Sequence, residues 1–94
     1  MPFLNHKTHP FTKDGIEWLN PGQNGVYGIF NKTEWIYVGK GDIRDRLLRH
    51  LGGDNPCILR RYPTHWIAEV VPNMDSREKE LIVELNPECN KRVG

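Results

Sequence analysis

Two short runs rich in apolar, aromatic and β-branched residues, 25–30 and 35–39, flank the polar stretch 31–34. Runs of this composition favour β-strands, and a short polar break between two of them is typical of a hairpin turn. The pattern therefore predicts two antiparallel strands, of which the first carries Tyr27 and the second carries Tyr37.

The length of the hairpin loop decides whether these two tyrosines share a face of the sheet. A loop of three or five residues pairs Tyr27 with Tyr37 and puts both hydroxyls on one face, because side chains alternate along a strand. A loop of four residues pairs Tyr27 with Val38 and puts the tyrosines on opposite faces. The sequence leaves both registers open.

A helix is predicted directly after the hairpin, over residues 43–51. Its apolar stripe at helical spacing consists of Ile43, Leu47, Leu48 and Leu51. Asp42 precedes the stripe as an N-cap, and the pair Gly52 and Gly53 ends it. We expect this helix to pack its leucines on the sheet.

The remainder of the chain predicts one more strand and one more helix. Residues 64–71 (THWIAEVV) favour a strand, and residues 76–85 favour a helix with Leu81, Ile82 and Leu85 on one face. Residues 1–23, with their prolines and glycines, predict an extended lead-in with at most a short helical turn over 13–19, and a further turn is expected at 58–61. The resulting order, β-β-α-β-α, indicates a three-stranded antiparallel sheet with flanking helices, of the α+β class.

Length and composition restrict the class of protein. Ninety-four residues with 37% hydrophobic content favour one small globular domain spanning residues 1–94. No run approaches the roughly 20 apolar residues that a membrane-spanning helix needs, and residues 1–13 lack the apolar stretch of a signal peptide, so we expect a cytoplasmic protein. Cys57 and Cys89 lack the spacing of a metal or redox motif, so we expect reduced thiols.

Charge is distributed unevenly along the chain. The net charge is +1, yet residues 40–61 hold six basic and three acidic residues, against seven basic and nine acidic residues elsewhere. A basic segment in a nearly neutral domain favours local contacts with phosphates over bulk binding of a polyanion. Arg49, Arg60 and Arg61 are the candidates for such contacts, with a solvated ion pair between Asp45 and Arg49 or solvated loop charge as the alternative.

Two polar side chains of the predicted 43–51 helix lie on one flank. Arg46 and His50 are separated by four residues, so both border the leucine stripe and can face one site together.

The predicted 76–85 helix carries a carboxylate on its inward face. Glu78 precedes Leu81 and Leu85 at helical spacing, and a charged group on a core-facing stripe needs a partner. Asp75 and Glu78 also have the spacing of a capping box, in which the carboxylate only caps the helix.

Several of these features together resemble one family. GVY at residues 25–27 and YVG at residues 37–39, followed by Lys40, are similar to the signature of the GIY-YIG nuclease domain family, and the similarity spans about residues 24–92. That family has an arginine on the next helix, a histidine one turn later, a metal-binding glutamate opening the following helix and an asparagine near the domain end. The matching positions in this sequence are Arg46, His50, Glu78 and Asn90.

One departure from the family pattern leaves the arginine open. The segment between Gly39 and Arg46 is one residue shorter than is usual, which could nominate Arg44 or Arg49 instead. Arg46 is preferred because His50 follows it by one turn.

The resemblance implies a divalent-metal-dependent endonuclease that hydrolyses DNA phosphodiester bonds, with RNA not excluded. It implies Tyr27 as general base, and a phenol of pKa about 10 then needs nearby cations to stabilise its phenolate. Lys40 and His50 are the nearest candidates for cations that stabilise this phenolate. Arg46 would bind the phosphate, and Tyr37 would position the phosphate or the water.

The resemblance also implies a metal ligand and an ordering residue. Glu78 would bind one Mg²⁺, or Mn²⁺, and Asn90 would order the site by hydrogen bonding, with a plain turn role as the alternative. A non-catalytic nucleic-acid-binding or protein-interaction domain on the same fold is the competing function. Whether the domain acts alone, as a homodimer or with a partner protein is left open by the sequence.

Overall fold

The computed structural model describes Phe3 and residues 7–90, and the sheet and helices below belong to that part of the chain. The elements are β1 (His9–Pro10), α1 (Lys13–Glu17), β2 (Asn24–Phe30), β3 (Trp35–Asp42), α2 (Ile43–Leu51), α3 (Pro56–Arg60), β4 (His65–Val70), α4 (Met74–Leu85) and a 3₁₀ turn (Glu88–Asn90). None of the helices in this part has the length and hydrophobicity needed to cross a membrane.

The strands form one antiparallel sheet in the order β1-β4-β2-β3. This confirms the α+β class and the predicted succession of a hairpin, a helix, a strand and a helix. The sheet has a fourth strand that the sequence did not indicate, because His9 and Pro10 are too few to leave a pattern. The lead-in also forms α1, whose N-cap Thr12 accepts a hydrogen bond from the Gly15 amide at 3.0 Å.

A bulge in the β2–β3 hairpin sets the register of the two tyrosines. Phe30 pairs with Trp35 across a four-residue loop, but the next pair is Ile29 with Tyr37, so Ile36 is the extra residue on β3. Without the bulge the four-residue loop would put the tyrosines on opposite faces. With it, Tyr27 pairs with Gly39, two residues beyond Tyr37, and both tyrosines share one face.

Helices cover both faces of the sheet. The tyrosine face packs against α1 and α2, through a buried cluster that includes Tyr27, Ile29 and Leu47. The opposite face packs against α4, through a second cluster that includes Val38 and Leu81. Strand β3, at the edge of the sheet, is therefore bordered by α2 on one side and by α4 on the other.

Helix α2 begins and ends at the predicted residues, and its N-cap Asp42 accepts a hydrogen bond from the Asp45 amide at 3.3 Å. Helix α4 begins earlier than predicted, at Met74, with Asn73 in the N-cap position. Asp75 thus lies inside the first turn, so the capping-box interpretation of Asp75 and Glu78 is wrong. The turn expected at 58–61 is the second half of α3 together with its C-cap Arg61, and Asn55 caps the start of this helix by accepting from the Cys57 amide.

The expectation of reduced cysteines is wrong for this structure. Cys57 on α3 and Cys89 in the 3₁₀ turn form a disulfide bond, with Cα atoms 5.7 Å apart. The two residues are separated by 32 positions, and their proximity depends on how α3 and the 3₁₀ turn pack after the whole sheet has formed. Spacing along the chain carried no signal of this pairing.

Replacing both cysteines, Cys57→Ser with Cys89→Ser, should lower the free energy of unfolding by roughly 3 to 4 kcal/mol, because the bond closes a long loop in the unfolded chain. Urea denaturation followed by circular dichroism measures the difference. Dithiothreitol should lower the stability of the native chain by a similar amount and leave the double variant unchanged. Equal stability of the native chain with and without reductant would contradict the disulfide.

Candidate active site

Tyr27 and His50 form a buried hydrogen-bonded pair between β2 and α2. The Tyr27 hydroxyl oxygen lies 2.7 Å from Nε2 of His50. Tyr27 has no exposed surface, and His50 is 2% exposed. Burial is the largest cause that lowers the pKa of His50, so the neutral imidazole is favoured near neutrality.

Tyr37 completes an aromatic cluster around this pair. Its ring centroid lies 6.3 Å from that of Tyr27 and 5.1 Å from that of His50. This contact follows from the β3 bulge, because only the shifted register puts Tyr37 on the face that α2 covers. The half-buried Tyr37 therefore lies between the buried Tyr27–His50 pair and the solvent.

Gly39 is the residue over which the Tyr27 ring packs. A Cβ atom at position 39 would lie 2.3 Å from the Tyr27 hydroxyl oxygen and 2.8 Å from a ring carbon of Tyr37. Both distances are shorter than atomic contact allows, so the last residue of YVG must be glycine for the tyrosines to take these positions.

Gly39→Ala should lower the free energy of unfolding by about 1 to 3 kcal/mol, since the tyrosines must leave their packed positions. Gly52→Ala is the matched control, because its Cβ would come no closer than 3.4 Å to a neighbouring atom. Thermal and urea unfolding of the two variants test the difference. A Gly39→Ala protein as stable as Gly52→Ala would show that the tyrosines do not pack in this way.

Arg46 is the arginine that faces the tyrosines. Its interaction with the Tyr27 hydroxyl is the largest cause that raises the pKa of Arg46, and Tyr37 adds to it. Arg44 instead approaches Glu17 on α1, at 4.0 Å, and Arg49 pairs with Asp45 in the solvent at 2.9 Å. Because Arg46 interacts with both tyrosines while Arg44 and Arg49 approach carboxylates, the preference for Arg46 agrees with the geometry.

Arg46 also carries an unused donor. Its Nε is buried and has no hydrogen-bond partner among Phe3 and residues 7–90. A buried donor without an acceptor is costly, and a substrate oxygen would satisfy it.

The pKa of Tyr27 moves opposite to the expectation that nearby cations stabilise a phenolate. Burial is the largest cause that raises this pKa, followed by Tyr37, and the lowering effect of Arg46 does not offset them. Lys40 is committed elsewhere, to Asp75 and Glu78 on α4. The Tyr27 hydroxyl therefore keeps its proton and is hydrogen-bonded to His50.

Glu78 reaches the tyrosine cluster from the opposite face of β3. Its Oε1 lies 3.7 Å from Nζ of Lys40, and its negative charge, after burial, raises the pKa of Tyr37. The side chain is 20% exposed. The carboxylate therefore lies at the edge of the sheet beside Tyr37, partly open to solvent.

Asn90 is tied to the edge strand through both ends of its amide. Its Oδ1 accepts from the Val38 amide at 2.7 Å, and its Nδ2 donates to the Val38 carbonyl at 2.9 Å. These bonds fix the backbone of YVG between Tyr37 and Gly39.

No family model and no curated protein sequence matches the chain. Two solved structures do, both of the GIY-YIG N-terminal endonuclease domain of UvrC from Thermotoga maritima, with a TM-score of 0.70 for each. Their sequences are 28% and 29% identical to this one, and each alignment covers 86% of this chain and 100% of the bacterial domain. Each is a tyrosine-to-phenylalanine point mutant bound to its catalytic divalent cation.

The chain is similar in fold and in sequence to the GIY-YIG endonuclease domain. The fold, and the GVY and YVG motifs on the β2–β3 hairpin, are those expected of a GIY-YIG domain. The similarity to an endonuclease domain supports a nuclease function and a nucleic-acid substrate.

The donor set at Glu78 suits a single hard cation. The described residues contain no cluster of three or more histidine, cysteine, aspartate or glutamate side chains that could hold a metal. Mg²⁺ is commonly bound by one or two carboxylates and completes its shell with waters and phosphate oxygens. One partly exposed carboxylate therefore fits such an ion, with Lys40 as a competitor for the same oxygen.

The predicted nucleic-acid-binding arginines occupy different environments. Arg60 is exposed on α3, and Arg49 is exposed but paired with Asp45. Arg61 is held by Glu34 in the hairpin loop, with its Nε 2.9 Å from the carboxylate, and lies 3.8 Å from Glu88. The Arg61 contacts favour a structural link over backbone tracking, whereas a nucleic-acid role for Arg49 and Arg60 stays a prediction.

Asp54 was not identified from the sequence as part of this site. Its Oδ1 lies 2.7 Å from Nδ1 of His50, on the side of the imidazole opposite Tyr27. The only signal in the sequence was its position four residues after His50. That signal looked uninformative because Gly52 and Gly53 end the helix between them.

Proposed function

We propose that this GIY-YIG domain is a divalent-metal-dependent endonuclease that hydrolyses phosphodiester bonds in DNA. The observation that carries the proposal is the buried hydrogen bond between Tyr27 and His50, beside the unused donor of Arg46. Hydrolysis needs a base for the attacking water and a positive charge at the phosphorus centre, and these residues supply both.

Tyr27 acts as general base through His50 and not as a preformed phenolate. The hydroxyl oxygen takes a proton from the attacking water while its own proton passes to Nε2 of His50, 2.7 Å away. The raised pKa of Tyr27 is then no obstacle, because the phenolate never accumulates. Since Tyr27 is fully buried, the half-buried Tyr37 and Arg46 side chains must shift to admit water when substrate binds.

Arg46 binds a non-bridging oxygen of the scissile phosphate through its planar guanidinium. As the water oxygen bonds to phosphorus, the bond to the leaving oxygen breaks, and that oxygen takes its electron pair and then a proton from solvent. The products are one phosphomonoester end and one hydroxyl end. Tyr37 positions the phosphate or the water against this pair.

Glu78 would hold the divalent cation, Mg²⁺ or Mn²⁺, and the cation would supply charge neutralisation at the phosphate when bound. Lys40 keeps the carboxylate neutralised when no cation is present, at 3.7 Å. Asn90 holds the Val38 peptide and thereby the position of Tyr37 beside it. The cytoplasmic location remains a prediction.

The direct test incubates the purified chain with supercoiled, linear, single-stranded and branched DNA and with RNA, in Mg²⁺, Mn²⁺ or EDTA. We expect DNA cleavage with either cation and none in EDTA. Binding without cleavage under every condition would favour the competing function, a non-catalytic nucleic-acid-binding or protein-interaction domain. Cleavage that persists in EDTA would contradict the metal requirement.

Arg46→Gln should lower kcat about 10²- to 10³-fold, because the variant loses the charge and the donors that stabilise the developing negative charge. Arg44→Gln is the matched control on the same helix, and it should stay within about threefold of the native rate because Arg44 faces Glu17. Single-turnover cleavage measures both. A larger loss in Arg44→Gln than in Arg46→Gln would transfer the role to the other arginine.

A further inference from the structure

His50 stands between two groups that bind its two nitrogens differently. Nε2 faces the Tyr27 hydroxyl, which can donate or accept, and Nδ1 faces the Asp54 carboxylate, which as an anion can only accept. A carboxylate 2.7 Å from Nδ1 requires the proton on that nitrogen. Nε2 is then left with its lone pair toward Tyr27, and the Tyr27 hydroxyl must be the donor.

The surroundings of His50 contain no second group, among the described residues, that would set this tautomer. Tyr27 approaches His50 from β2 and Tyr37 approaches it from β3. The Tyr37 ring meets the imidazole edge to face. Burial is the largest cause that lowers the pKa of His50, Asp54 opposes it, and Arg46, one turn earlier on α2, adds a smaller lowering effect. Among the interactions of His50 in this part of the chain, Asp54 supplies the negative charge.

The backbone after α2 fixes the place of this carboxylate. The Gly53 amide donates to the His50 carbonyl at 3.1 Å, and the Asp54 amide donates to the Arg49 carbonyl at 3.2 Å. Gly53 adopts φ +95°, a conformation that glycine reaches without strain. The loop thus folds back on the helix end and turns the Asp54 side chain toward Nδ1.

We propose that Asp54 is a positioning residue that holds His50 in the tautomer able to accept the Tyr27 proton and stabilises the imidazolium that results. The proposal rests on the proposed nuclease function for its catalytic consequence. It goes beyond that function in assigning a third member, outside the helix and with a side chain 40% exposed, to the Tyr27–His50 pair. In this step one proton passes from the Tyr27 oxygen to Nε2 of His50, and the proton on Nδ1 stays in its hydrogen bond to Asp54.

Nitrogen-15 NMR of the imidazole rings tests the tautomer without any substrate. In the native chain, Nδ1 of His50 should carry the proton and Nε2 should not, with the signals assigned by their loss in His50→Gln. In Asp54→Ala the His50 signals should move toward a mixture of tautomers or toward protonated Nε2. Unchanged His50 signals in Asp54→Ala would overturn the proposal, whether or not the chain cleaves DNA.

Cleavage kinetics test the catalytic consequence. Asp54→Ala should lower kcat about 10²-fold or more with little change in KM, and Asp54→Glu should recover part of the rate. Asp45→Asn, which removes the carboxylate of the solvent-exposed pair with Arg49 at the same helical spacing, is the matched control and should keep the native rate. A native rate in folded Asp54→Ala would overturn the proposal, and a native chain that cuts no substrate but shows the expected tautomer would overturn the proposed function alone.

Discussion

Replacing Tyr27 with phenylalanine should lower kcat for DNA cleavage about 10²- to 10⁴-fold while the domain stays folded. The substitution removes the hydroxyl through which the attacking water reaches His50, and general acid–base catalysis typically contributes a factor of this size. KM should change little, because the phosphate is bound by other side chains. Single-turnover rates at saturating protein measure the effect.

The stability of Tyr27→Phe separates a chemical effect from a structural one. The substitution leaves Nε2 of His50 buried without a donor, which should cost about 1 to 3 kcal/mol in the free energy of unfolding. Tyr62→Phe is the matched control, since Tyr62 is 81% exposed and lies outside the site, and it should alter neither rate nor stability. A folded Tyr27→Phe protein that cuts DNA at the native rate would exclude Tyr27 as the general base.

Glu78→Gln should lower cleavage at a fixed Mg²⁺ concentration about 10³-fold or more. Glutamine keeps the size of the side chain but loses the negative charge that would hold the cation, and the charge stabilisation that a metal supplies is worth several kcal/mol in the transition state. Raising the concentration of Mn²⁺ should recover part of the activity, because the remaining ligands would be water and phosphate oxygens. A cation titration of the cleavage rate measures both effects.

Glu80→Gln provides the control for Glu78→Gln on the same helix. Glu80 is 64% exposed on the outer side of α4, where it lies 3.8 Å from Arg77. It should show the native dependence on Mg²⁺. If both variants lost activity equally, the loss would come from the helix and not from a ligand, and if neither did, Glu78 would not hold the cation.

The hairpin and α2 were predictable because their signals are local. Two runs of apolar, aromatic and β-branched residues, a polar break between them and four aliphatic residues at helical spacing predict two strands and a helix, and α2 has the predicted bounds. The relative placement of the tyrosines was not predictable, since it depends on the extra residue Ile36 in β3. The bulge allows Ile36 and Tyr37, which are neighbours in sequence, to pack on the same core cluster. An alternating strand pattern would put these two side chains on opposite faces, so it does not predict the bulge.

The candidate site likewise contains residues that the sequence indicated and one that it did not. The sequence predicted that Arg46 and His50 lie on one helix flank because of their spacing, and the family resemblance nominated Glu78 and Asn90. Asp54 was missed because its contact depends on how a glycine pair folds the loop back. The expectation that Lys40 stabilises a Tyr27 phenolate was wrong, because Lys40 points to the face that α4 covers. Tyr27 pairs with Gly39, so the alternation of side chains along β3 puts Lys40 on the other face once this register is known.

Anomalous diffraction from Mn²⁺ tests most directly whether Glu78, Arg46 and Tyr27 act on one phosphate. Crystals of the Tyr27→Phe chain with duplex DNA and Mn²⁺ should hold the substrate uncut. We predict an anomalous peak about 2.1 Å from a Glu78 carboxylate oxygen and from an oxygen of one DNA phosphate, the same phosphate that Arg46 contacts beside residue 27. A peak away from Glu78, or a bound phosphate that Arg46 does not contact, would contradict a single site built from these three residues.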